Sequence, residues 1–160
     1  MNKKIIWQAK SFKQLSIEQL YELLKLRIDV FVVEQNCPYP DLDSEKNCFD
    51  RHDETIHLLG YHGDSLVAYL RILAKGQSYQ DYPSIGRVAI NMQARNTGLG
   101  HELMKQALIC CQRRFPNEAV KISAQEHLKR FYQQYDFVQT SDMYLEDNIP
   151  HISMLRAAAS

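Results

Sequence analysis

After the apolar run Ile85-Gly86-Arg87-Val88-Ala89-Ile90, a short loop leads to two glycines, Gly98 and Gly100. Leu99, Leu103, Ala107 and Cys111 then recur at helical spacing. The pattern predicts a strand, a tight turn and an amphipathic helix ending near Arg114. No other segment restricts the fold as much, because a helix that starts on glycines presents bare N–H groups and the positive end of its dipole. Glycine lets an anion come close to those groups, and Arg95 adds a fork of donors suited to phosphate oxygens. The chemistry points to a diphosphate.

Three phosphate-binding turns are compatible with that chemistry. A Walker A loop needs Lys-Ser/Thr after its last glycine, but His101-Glu102 follow Gly100. The dinucleotide turn needs a third glycine where Leu103 stands and an acidic residue ending the next strand, whereas Glu118 precedes that strand. The Arg/Gln-x-x-Gly-x-Gly/Ala turn is matched in full by Arg95-Asn96-Thr97-Gly98-Leu99-Gly100.

Elsewhere the pattern alternates between strand and helix. Ile5 to Gln8 reads as a strand. Ser16 and Gln19 form a capping box ahead of a helix from about Ile17 to Val30, with Leu20, Leu24, Ile28 and Phe31 at helical spacing. Gln35 to Ile56 shows neither period, holds Pro38, Pro40 and many acidic residues, and is long enough to suggest a functional or mobile segment. His57–Tyr61 and Ser65–Leu73 form a hairpin around His62-Gly63-Asp64. A strand at Val120–Ala124, a short helix through Leu128, Phe131, Tyr132 and Tyr135, and strands at Phe137–Leu145 and His151–Leu155 complete one mixed α/β domain over residues 1–160.

Composition narrows the function. The 160 residues carry 19 Lys+Arg against 19 Asp+Glu, so no concentrated basic face for nucleic acid is expected. No apolar stretch approaches the ~20 residues of a membrane span. The opening Met1-Asn2-Lys3-Lys4-Ile5-Ile6-Trp7-Gln8 has too short an apolar run for a signal peptide, and a cytoplasmic location is expected. Four cysteines (Cys37, Cys48, Cys110, Cys111) are too few for a disulfide scaffold. A small-molecule partner fits best.

The Arg95–Gly100 turn and the order of elements resemble the GCN5-related N-acetyltransferases (GNAT) from end to end. Three further segments look like the ElaA branch of that family: Phe31-Val32-Val33-Glu34-Gln35-Asn36-Cys37-Pro38-Tyr39, Ile85-Gly86-Arg87-Val88, and Glu146-Asp147-Asn148-Ile149-Pro150-His151-Ile152. Asn96, Asp136 and Asn148 stand where glycine is common, but Asn and Asp tolerate a left-handed backbone.

The resemblance implies a GNAT acyltransferase fold, with a mixed, mostly antiparallel sheet flanked by helices. It also implies an enzyme that moves an acetyl group from acetyl-CoA directly to a primary amine, with no metal. CoA would lie between the strands at Ile85–Ile90 and Val120–Ala124, with main-chain groups of Val88 and Ile90 on its pantetheine. Arg95, Asn96, Thr97, Gly98, Leu99 and Gly100 would hold the diphosphate, and Arg87, Gln125 and Tyr132 would complete the cofactor-binding set. Tyr132 falls at the position of the family's proton donor to sulfur, although it shares a helix face with Leu128, Phe131 and Tyr135 and could simply pack. An alkylammonium needs a base, its pKa being near 10.4, for which Glu34, Glu126, Asp147 and His151 are candidates, Glu34 and His151 foremost. Dimerisation through late strands is a further expectation.

Other readings stay open at this level. Asp41, Asp43 and Glu34 would attract a cationic amine, or form only a solvated acidic loop. Cys37, Cys48, His52 and His57 could bind zinc, though the cysteine spacing is unlike ordinary fingers. Cys111 lies on an apolar helix face and reads as core rather than as half of a redox pair with Cys110. A non-catalytic acyl-CoA-binding module is the alternative to an enzyme. The acceptor amine is not specified by the sequence.

Overall fold

Apolar residues alternating along the strands divide the core into two layers. The computed structural model describes residues 4–46 and 48–159, so Met1, Asn2 and Lys3 of the opening segment lie outside it. Its strands are β1 (Ile6–Lys10), β2 (Ile56–His62), β3 (Ser65–Leu73), β4 (Ser84–Ile90), β5 (Val120–Gln125), β6 (Phe137–Gln139), β7 (Tyr144–Glu146) and β8 (Ile149–Arg156). They make one sheet in the order β1-β2-β3-β4-β5-β8-β6, with β7 also on β8. Every pairing is antiparallel except that of β4 with β5. The expected mixed, mostly antiparallel sheet is therefore observed. Among the described residues no helix is long and apolar enough to cross a membrane.

Helix α2 (Leu99–Arg114) covers one face, burying Leu99, Leu103, Met104, Ala107 and Cys111 against Leu58, Leu70, Ile122 and Met154. Helix α1 (Ile17–Ile28) covers the other, where Leu23, Leu26 and Val30 meet Leu59, Tyr69 and Ala89. Adjacent Leu58 and Leu59 thus serve opposite layers, as the two-residue period of a strand requires. Ser16 and Gln19 make the reciprocal capping bonds that start α1. A short helix α3 (Lys129–Gln133) follows β5.

Two expectations are corrected. Of the expected face, Leu20, Leu24 and Phe31 do pack on the core, beside the more deeply buried Leu23, Leu26, Arg27 and, just past α1, Val30, but Ile28 is 39% exposed. The helix also continues as a π turn over Asp29–Glu34. Phe137–Leu145 is not one strand. β7 pairs with the first half of β8 and β6 with the second. Between them the Ser141 hydroxyl accepts from the Ser153 N–H, where a ladder carbonyl would otherwise stand.

Arg27 turns inward because partners wait there. Its Nε donates to Asp41 and its Nη1 to Asp50, both at 2.8 Å. Arg71 donates through Nη1 to Asp43 and Asp50, and Arg87 pairs with Asp41. Burial alone would raise the Asp50 carboxyl, but Arg27 and Arg71 outweigh it and hold that group well below the ordinary carboxylate range. The network fastens the irregular segment between α1 and β2 over the α1 face of the sheet. Asp41 and Asp43 are spent on these arginines and do not serve as a lure for an amine. His57 is no free ligand either, since its Nδ1 faces the Tyr69 hydroxyl and its Nε2 the Asp50 carbonyl, at 2.7 and 2.9 Å.

Candidate active site

The parallel strands β4 and β5 are in register only at Ser84↔Lys121. Beyond that pair β4 bends away, because its register with β3 shifts between Tyr69 and Arg71, opposite Gly86–Ala89. Arg87 occupies the shift with a left-handed φ of 53°. An inserted residue bends and twists its strand, and here the bend opens the sheet. The resulting cleft, about 240 Å³, has Val88, Ile122, Ala124, Leu128 and Tyr132 along one part. Arg71, Arg87, Gln125, Glu146 and His151 belong to the same lining.

At the start of α2 the backbone forms an anion cradle. Asn96 and Gly98 both have positive φ, 62° and 81°. The first donated bonds of the helix run from His101 and Glu102 to the Gly98 carbonyl. Among the described residues, the N–H groups of Asn96, Thr97, Gly98, Leu99 and Gly100 donate to no protein acceptor. A Cβ on Gly98 would meet nothing within 4 Å, so the space in front of the turn is open. These features fit a diphosphate. Asn96, Asp136 and Asn148, the Asn and Asp residues standing in for expected glycines, all adopt positive φ.

Tyr132 is buried, 6% exposed, with Phe131 and Phe137 packed edge-on against its ring. It lines the cleft, and its hydroxyl bonds to no group among the described residues. Burial pushes that hydroxyl up to about 12, so it stays protonated at neutral pH.

The β7–β8 hairpin builds the other side. Asp147 and Asn148 form a two-residue turn, with φ of 51° and 62°, that sets Glu146 opposite Ile149 and Tyr144 opposite His151. Period-two alternation then puts Tyr144, Glu146 and His151 on one face. His151 Nδ1 lies 2.7 Å from the Ile149 carbonyl, which can only accept, so that nitrogen carries the proton. Nε2 faces the Glu146 carboxylate at 3.3 Å. Ser123 Oγ bonds to the Tyr144 hydroxyl and to Glu146.

Residues 31–157 match the family model of the acetyltransferase (GNAT) domain. The chain belongs to the GNAT family. It is 43% identical over 152 residues to protein ElaA of Escherichia coli strain K12, across 95% of this chain and 96% of that one. The structure of an acyl-CoA N-acyltransferase from Pseudomonas aeruginosa superposes with a TM-score of 0.89 at 42% identity, covering 96% of this chain and 100% of the other. That of Escherichia coli ElaA gives 0.87 at 42% identity, covering 96% and 99%.

Within this GNAT domain, Glu34 and Arg95 sit otherwise than the sequence suggested. Arg95 places Nη1 and Nη2 on the Glu34 carboxylate, and Nε and Nη2 on the Ile90 carbonyl. All three nitrogens thus have protein partners, Nη1 keeping one N–H without an acceptor among the described residues. Glu34 correspondingly sits against the turn as the partner of Arg95. The Arg87 side chain points to Asp41 and Tyr39, so its contribution to the cleft is backbone shape as well as charge. Gln125 Nε2 donates to Gln35 at 3.3 Å.

In the sequence Glu146 stands out only as part of the Glu146–Ile152 string, and Arg71, Ser123 and Tyr144 belong to no motif. The Asp147-Asn148 turn was the available signal, since a two-residue hairpin fixes which neighbours share a face.

Proposed function

We propose that this GNAT domain is an acetyl-CoA-dependent N-acetyltransferase acting on a primary amine. The observation that carries the reading is the opening between β4 and β5, whose lining includes Val88, Tyr132, Glu146 and His151, while the bare N–H turn before α2 follows the end of β4 in the chain. The Asn96–Gly100 backbone holds the diphosphate, and the exposed edges of β4 align the pantetheine. His151 Nε2 takes one proton from the acceptor ammonium, and Glu146 balances the imidazolium charge. The nitrogen then attacks the thioester carbonyl carbon, so a C–N bond forms as the C–S bond breaks. The second nitrogen proton leaves as the amide forms and balances the one taken up by the CoA thiolate.

Tyr132 serves that sulfur as a hydrogen-bond donor. Its hydroxyl is held near 12, against about 8.5 for a thiol, so complete transfer is uphill by roughly 5 kcal/mol. Tyr132 therefore stabilises the departing thiolate and keeps its proton.

Thermal melts with acetyl-CoA test the first half: a ligand at a hundredfold its Kd adds about 2.7 kcal/mol. CoA release with a panel of primary amines tests the second. Stabilisation with no release from any amine would identify a binding module instead, and no stabilisation by acetyl-CoA or CoA would remove the cofactor assignment.

A further inference from the structure

The cleft is polarised across its width. Arg71 and Arg87 line it from β3 and β4, yet Asp41, Asp43 and Asp50, which balance them, are absent from its lining. The aspartates engage the arginines from the side of the irregular segment. Arg71 makes every protein bond through one nitrogen, Nη1, while its buried Nε has no hydrogen-bond partner and Nη2 donates to none of the described residues. Arg87 donates through Nη2 to the Asp41 carbonyl. Its Nε lies beside Asp41 without hydrogen-bond alignment, and Nη1 has no partner among the described residues. Phe49 and Tyr39 lie over the two guanidinium groups and fix their planes. The β7–β8 side carries the opposite sign, with Glu146, Asp147 and His151.

We propose that the acceptor is a small zwitterion, an amine that also bears a carboxylate, with its carboxylate held by Arg71 and Arg87 and its nitrogen turned to His151. Arg71 Nη2 and Arg87 Nη1 keep donors that no described protein group takes, and a planar carboxylate is a group that such donors fit. An unsubstituted alkylamine would satisfy only the Glu146 side of the cleft.

The proposal rests on the acetyltransferase reading, and the test separates the two. CoA release is followed with glycine, β-alanine and lysine, each against its carboxamide, for the unmodified protein, Arg87→Gln and Arg87→Lys. At least one acid is expected to exceed its amide at least tenfold in kcat/KM. Arg87→Gln should erase that preference through KM, the acid's KM rising at least tenfold more than the amide's. Arg87→Lys keeps the charge but not the fork, so it also loses preference and covers the case in which Arg87→Gln does not fold. Release from amides equal to or above that from acids would overturn the zwitterion and leave acetyl transfer standing. Acetyl-CoA binding with no release from any amine would overturn both.

Discussion

Replacing Tyr132 with Phe separates packing from chemistry more cleanly than any other change in the cleft. The ring is held edge-on by Phe131 and Phe137, and Phe keeps those contacts. The hydroxyl bonds to no protein group among the described residues, so its removal breaks no native hydrogen bond, and the melting temperature should stay within about 2 °C. Catalysis should respond differently. A hydrogen bond to a charged partner contributes roughly 1.5–3 kcal/mol, and the thiolate carries its charge only as the C–S bond breaks. The expected loss is therefore about 10- to 150-fold in kcat, with acetyl-CoA affinity unchanged. Initial rates of CoA release across pH 6–9, with melts on the same samples, measure both quantities. Because Tyr132 titrates near 12, no limb of the profile below pH 9 should belong to it, and the variant should keep the parent's shape. An unchanged kcat at unchanged stability would refute the donor role, and a large drop in melting temperature would refute the packing argument.

The ion network gives a second expectation. Arg27→Met leaves Asp41 and Asp50 buried with less compensation, a loss of about 3–5 kcal/mol, or roughly 6–20 °C by thermal melt. Gly98→Val puts a branched side chain at φ 81° in the space before the diphosphate turn. The strain is about 1–2 kcal/mol, and acetyl-CoA affinity measured by calorimetry should fall at least tenfold. His57 supplies a pH signature. Burial holds its imidazole below the ordinary range, so the unfolded chain binds the proton more readily and the contribution to stability is present above about pH 6.5 and lost as pH falls. Asp50, also depressed, adds a loss of the same sign below about pH 4. Between pH 6.5 and 5 the His57 contribution reaches at most about 2 kcal/mol. His57→Gln should flatten the melting temperature over that window, and an unaltered slope would show that other groups produce it.

Sequence alone determined the parts whose causes are local. Gly98 with the leucines after it fixes a turn that can only start a helix, the Ser16–Gln19 box starts another, and Asp147-Asn148 closes a hairpin. These act through backbone conformation and the periodicity of neighbours, which are written within a few residues. The family resemblance belongs here too, since it lies in short contiguous strings. What only the tertiary structure decided is which charge meets which. Arg95 could equally have faced a phosphate, until Glu34, from a distant turn of the first helix, filled its fork. Asp41 and Asp43 read as an exposed acidic loop until Arg27, Arg71 and Arg87 were found behind them. The interaction of two charges depends on their separation and burial, and neither quantity exists until the chain has folded. The same holds for Arg71 and His151, whose opposed positions across the cleft arise from strands that adjoin only in the sheet.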